Sequence, residues 1–116
     1  MRNFRNLEVW HLSMQLLNNV YDIVDCFPKS ELYGLSQQVQ RCSVSIPSNV
    51  AEGCSRKSDK EFSRYIQIAL GSSFELETQL LIASNRKYFI NTEIFENLEI
   101  LQKKLNALNN RLIASC

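Results

Sequence analysis

The chain has 116 residues, 45% of them hydrophobic and 22% charged, with a net charge of +1. That length provides for one domain, residues 1–116, with a modest core, and the composition argues against disorder. A charge so close to neutral excludes a protein that coats nucleic acid by bulk positive charge, although it leaves room for a local basic patch.

The N-terminal residues Met1 to Glu8 include basic side chains but no apolar run after them, so no secretory signal is visible. Apolar residues then recur at helical spacing from Leu7 to Phe27. One stripe is Trp10, Leu17, Val20, Tyr21, Val24 and Phe27. A second is Leu12, Leu16 and Ile23. Two stripes imply burial on two sides, and the second is expected to face another subunit. Pro28 stops this helix, because a residue preceding proline disfavours helical angles.

Lys29 to Leu35 reads as a connector with Gly34 as its flexible point, and Ser36 as the cap of a second helix. That helix buries Val39, Ile46 and Val50 and ends near Gly53, with Pro47 expected to kink or break it. After a loop from Cys54 to Lys57, Ser58-Asp59-Lys60-Glu61 has the capping-box pattern. The third helix runs to about Lys87 with Phe62, Ile66, Ala69, Ser73, Leu76, Leu80 and Ala83 as its core line. Gly71 inside it suggests close approach by a neighbouring helix. Tyr88 to Thr92 forms the last turn, with Asn91 or Thr92 as cap. Leu98, Leu101, Leu105, Leu108 and Leu112 then form a coiled-coil-like seam. Four long helices joined by short loops predict an all-α, antiparallel up-down-up-down four-helix bundle.

Two groups of residues stand out as candidate sites. Gln38, Arg41, Ser45, Asn49 and Glu52 share one face of the second helix, and Arg41 could pair with Glu75 or Glu77 on the third. This stripe reads either as a ligand-binding face or as a structural polar network that sets helix register, and the pairing within it favours the network. The second group is Arg56, Lys57, Lys60 and Arg64, with the last three at helical spacing and Tyr65 beside them to stack on a base. Such a cluster suits phosphate contacts, although Asp59 and Glu61 interleave with it. Lys103, Lys104 and Arg111 read as ordinary solvent face.

Catalytic signatures are missing. His11 is the only histidine, no Glu-x-x-His pair or glycine-rich phosphate loop occurs, and Glu75 and Glu77 point to different sides of a helix. Neither an enzyme, a metal site nor a cofactor is expected. Cys26, Cys42, Cys54 and Cys116 are too scattered for zinc and read as free, buried thiols in a reducing cytoplasm. No stretch is apolar enough to span a bilayer, so no membrane association is expected.

The run Phe27 to Leu35, then Gln38 and Arg41, then Ser45-Ile46-Pro47-Ser48-Asn49-Val50-Ala51-Glu52-Gly53, resembles the bacterial 23S rRNA intervening-sequence proteins. Glu61-Phe62, Ala69 to Ser72, Glu75 to Thr78 and Leu7 to Trp10 extend the resemblance over nearly the whole chain. It implies a four-helix bundle, a ring-shaped homopentamer and no enzymatic activity. A similar pentameric bundle, the accessory variability determinant of diversity-generating retroelements, binds nucleic acid through a basic surface. This chain has Gln40 where a second basic residue often precedes Arg41, and Cys42 in place of a usual alanine. The expected function is RNA or other nucleic-acid binding by a homo-oligomer. The alternative is a scaffold for a protein partner.

Overall fold

A computed structural model describes residues 2–115. Four helices dominate it: α1 (Glu8–Val24), α2 (Leu35–Cys54), α3 (Asp59–Asn85) and α4 (Glu93–Ala114). Short 3-10 turns at Phe4–Asn6 and Lys29–Glu31 precede α1 and α2. α1 packs on α2 and α4, and α3 packs on the same two helices, which gives an elongated bundle of 45 × 23 × 19 Å.

The core is the aliphatic stripe of each helix, with Val20, Val39, Ile46, Val50, Ile66, Leu76, Leu80, Leu98 and Leu105 all fully buried. The α3 core line is buried throughout, as its spacing predicts. Along α4, Leu98, Leu101, Leu105 and Leu112 are buried while Leu108 is only half-buried. The α1 assignment changes most. Leu16 and Ile23, expected at a subunit contact, are 3% and 5% exposed and belong to the protomer core. Leu12 is half-buried against that core, and Trp10, Met14, Leu17 and Tyr21, at i, i+4, i+7 and i+11, form another line left partly open.

Helix ends also depart from expectation. α1 stops at Val24, before Phe27, because the chain turns inward so that the Phe27 ring lies 5.5 Å from Tyr88 and 6.2 Å from Phe89. Ser36 does not cap α2. It lies buried inside the first turn, and the Glu31 carboxylate accepts the Leu35 N–H at 3.2 Å while also accepting from the Tyr88 hydroxyl at 2.9 Å. Pro47 does not break α2, which runs unbroken through it. Ser58 does cap α3, accepting the Glu61 N–H at 3.1 Å. The far end of α3 closes at Lys87 with φ of 63°. There the N–H groups of Lys87 and Tyr88 donate to the carbonyls of Ser84 and Ala83, the two bonds of a Schellman turn. At α4, Thr92 is the capping residue by position, but the Asn91 side chain accepts the Ile94 N–H at 3.3 Å.

The close helix approach is at Gly53, not Gly71. A Cβ on Gly53 would lie 2.7 Å from Phe62 Cδ1 and 2.8 Å from Tyr65 Cβ, whereas one on Gly71 would meet nothing within 4 Å. Gly53→Ala is therefore expected to destabilise by roughly 1–3 kcal/mol through overpacking. Gly71→Ala should stabilise by up to about 1 kcal/mol through helix propensity. Urea midpoints of the two variants should move in opposite directions; a shift in the same direction would contradict the assigned packing.

Candidate nucleic-acid interface

The α2–α3 loop, the start of α3 and the N-terminal segment meet at one end of the bundle. Arg56 is held there by three contacts. Its guanidinium donates to Glu52 at 3.1 Å and to the Tyr65 hydroxyl at 2.6 Å, and it sits 4.8 Å above the Tyr65 ring. In this arrangement Arg56 has a structural role, engaged by Glu52 and Tyr65, and its guanidinium occupies one face of the Tyr65 ring on which a base would stack.

Lys57, Lys60 and Arg64 are exposed and make no ion pair among the described residues. α3 begins at Asp59, so only Lys60 and Arg64 share its helical spacing, and Lys57 stands in the loop beside them. The interleaved acids are already engaged. Asp59 pairs with Arg2 and accepts from Ser115, and Glu61 accepts from the Ser58 hydroxyl at 3.3 Å. Arg2 also donates to the Arg56 carbonyl at 3.2 Å and lies 4.8 Å from the Phe62 ring centre. It thus brings the N-terminal segment, with exposed Arg5, onto the basic end. A groove of about 650 Å³ lined by Arg2, Ser55, Arg56 and Lys57 results. Sequence reasoning missed Arg2 and Arg5 because their distance from the loop along the chain conceals their proximity in space.

Charge is divided along the bundle. The half containing the starts of α1 and α3 and the ends of α2 and α4 holds Arg2, Arg5, Arg56, Lys57, Lys60, Arg64, Lys104 and Arg111 against Glu8, Glu52, Asp59 and Glu61. The other half is acidic, with Asp22, Asp25, Glu31, Glu75, Glu77, Glu93, Glu96 and Glu99 against Lys29, Arg41, Arg86, Lys87 and Lys103. The near-neutral total conceals this separation. Lys103 and Lys104, expected on plain solvent face, have side chains 75% and 42% exposed and pair with Glu99 at 3.3 Å and Glu8 at 2.9 Å.

The polar stripe of α2 separates into parts. Ser45 bonds Ser72 across to α3 at 2.9 Å, and Asn49 donates to the Ser45 carbonyl and hydroxyl at 2.8 and 3.0 Å. Glu52 belongs to Arg56. Gln38 and Arg41 are exposed, and Arg41 forms no ion pair with Glu75 or Glu77. Glu77 faces α4, where it accepts from Gln102 at 2.8 Å, while Glu75 is engaged by Gln79 on its own helix at 3.5 Å and by Cys42 on α2. Burial, followed by the charge and hydrogen bond of Glu75, pushes the Cys42 thiol up to about 11. Burial also raises Cys54, with Arg2 opposing it. Cys26, expected buried, is exposed beyond the end of α1, and Cys116 lies outside the described residues. A buried pair unannounced by the periodicity is Ser63 donating to Asn109 at 2.6 Å, which joins α3 to α4.

No group of three or more His, Cys, Asp or Glu residues suited to a metal occurs among the described residues, and no helix there is long and apolar enough to cross a membrane. No match to a curated protein sequence was found. One solved structure that the chain resembles is a protein of unknown function from the S23 ribosomal protein family of Bacteroides thetaiotaomicron VPI-5482. It is 21% identical, with a TM-score of 0.65 over 91% of this chain and 95% of that one, a likeness of fold. The family model for the 23S rRNA-intervening sequence protein matches residues 5–112. With nearly its whole length inside that match, the chain belongs to the 23S rRNA-intervening sequence protein family.

Proposed function

We propose that this protein is a non-enzymatic, cytoplasmic homo-oligomer that binds RNA or another nucleic acid at the basic end of its bundle. The observation that carries this reading is the set of exposed, unpaired cations Lys57, Lys60 and Arg64 beside Arg2 and Arg5, with the neighbouring acids engaged elsewhere. Spaced cations on a rigid loop and helix start suit successive phosphates, where contacts position rather than read sequence. A binding role rather than a catalytic one is supported by the state of His11 and Cys42. The His11 ring bonds the Arg5 carbonyl at 2.6 Å, and the Cys42 thiol is buried and held protonated.

Assembly into a ring of five, which the family resemblance implies, would use the half-open line of Trp10, Met14, Leu17 and Tyr21 as its seam. A ring would repeat the basic end around an axis, and repetition raises avidity without new contacts. The test is a gel shift with structured rRNA fragments across a salt series. With three or four phosphates engaged, log affinity should fall against log salt with a slope of about −2 to −3. An absent shift, or one insensitive to salt, would refute the reading.

A further inference from the structure

The opposite half of the bundle carries a groove with different chemistry. It lies between α3 and α4, has a volume of about 560 Å³, and is lined by Phe74 and Leu81 from α3 and Phe95 from α4, with Glu77, Glu96 and Glu99 along it. Phe74 and Leu81, 52% and 45% exposed, place two large apolar side chains along one line of α3, beside the half-buried Phe95 of α4. They are seven residues apart, or about 10.5 Å along the axis. That is the spacing at which a third helix laid along the groove presents two apolar residues two turns apart.

The rim determines the partner. Glu96 makes no ion pair among the described residues, and Glu99 pairs only with Lys103, in a bridge whose side chains are 66% and 75% exposed. Such an exposed pair contributes little and yields readily to a competing cation. Glu77 is oriented by Gln102. Carboxylates flanking an apolar floor match an amphipathic helix with lysine or arginine beside its apolar face.

We infer that the α3–α4 groove docks a basic amphipathic helix of a partner protein. This surface lies in the acidic half, away from the basic end, so a protein segment and a nucleic acid could be held together. The inference stands apart from nucleic-acid binding, and either can fail alone.

The probe is a fluorescein-labelled helical peptide of leucine and lysine at heptad spacing, with a twin carrying glutamate in place of lysine. Anisotropy should show saturable binding of the lysine peptide and none of the glutamate twin. Glu96→Lys with Glu99→Lys should weaken binding about tenfold or more, as should Phe74→Asp, whose half-exposed position lets the fold survive. Asp22→Lys with Asp25→Lys makes the same charge change at the C-terminal end of α1, a helix that does not pack against α3, and should leave affinity within about twofold. The inference is overturned if the peptide does not bind, if the twin binds equally, or if the α1 variant loses as much as the groove variant. It is also overturned if light scattering shows that Phe74→Asp dissolves a self-association of the free protein, since a second copy would then own the groove.

Discussion

Leu16→Asp is expected to unfold the protein. Leu16 is 3% exposed in the middle of α1, within the same core as Val20 and Leu98. Removing a buried leucine side chain costs about 2–5 kcal/mol, and an unpaired carboxylate in its place adds its own desolvation. Against a total stability of about 5–15 kcal/mol for a domain of this size, that sum removes most of the folded population. Far-UV circular dichroism at room temperature should show loss of helix, and a native-like melt would place Leu16 outside the core. Leu17→Asp, one residue on, should behave in the opposite way. Leu17 is half-buried on the stripe with Trp10, Met14 and Tyr21, so the variant should keep its helicity and shift the assembly toward smaller species in light scattering. An unchanged mass for Leu17→Asp would remove that stripe from the subunit contact.

The contrast between these adjacent leucines shows where the sequence was readable. Periodicity identified the helices and the buried line of α3, because each of those residues must face the core to be dry. On α1 the same signal was ambiguous. Leu16 and Leu17 are both apolar, and only the packing of α2 and α4 decides which one is enclosed. Gly53 and Gly71 illustrate the same limit: each is a glycine in a helix, and the one with a steric reason is known only from where Phe62 and Tyr65 lie. The left-handed turn at Lys87 gave no signal because the usual glycine is absent, so α3 appeared to run further than it does. Glu31, which replaces Ser36 at the start of α2, was hidden for another reason: its carboxylate is fixed by Tyr88, far away in sequence. In the basic cluster the residue types were legible from the start. Their division into structural and available cations was not, because it depends on which acid each one meets.

That division is the basis of the second large effect. Lys57→Ala, Lys60→Ala and Arg64→Ala combined should lower affinity for structured RNA by roughly 10- to 100-fold and flatten the salt slope by about 2–3, roughly 0.7–0.9 per lost phosphate contact. Stability should hardly change, because exposed side chains without partners contribute within about 0.5 kcal/mol. Arg56→Ala should do the reverse. It strands the Tyr65 hydroxyl, releases Glu52 and uncovers the Tyr65 ring, for a stability loss of about 1 kcal/mol, with RNA affinity changed by less than about threefold. Thermal melts and gel shifts on the same two proteins separate the roles. If Arg56→Ala weakens RNA binding as much as the triple variant, the guanidinium leaves Tyr65 to reach phosphate, and the assignment of Arg56 as a structural cation fails. If the triple variant binds normally, the basic end is a solvated helix start, and nucleic acid must be sought on another face.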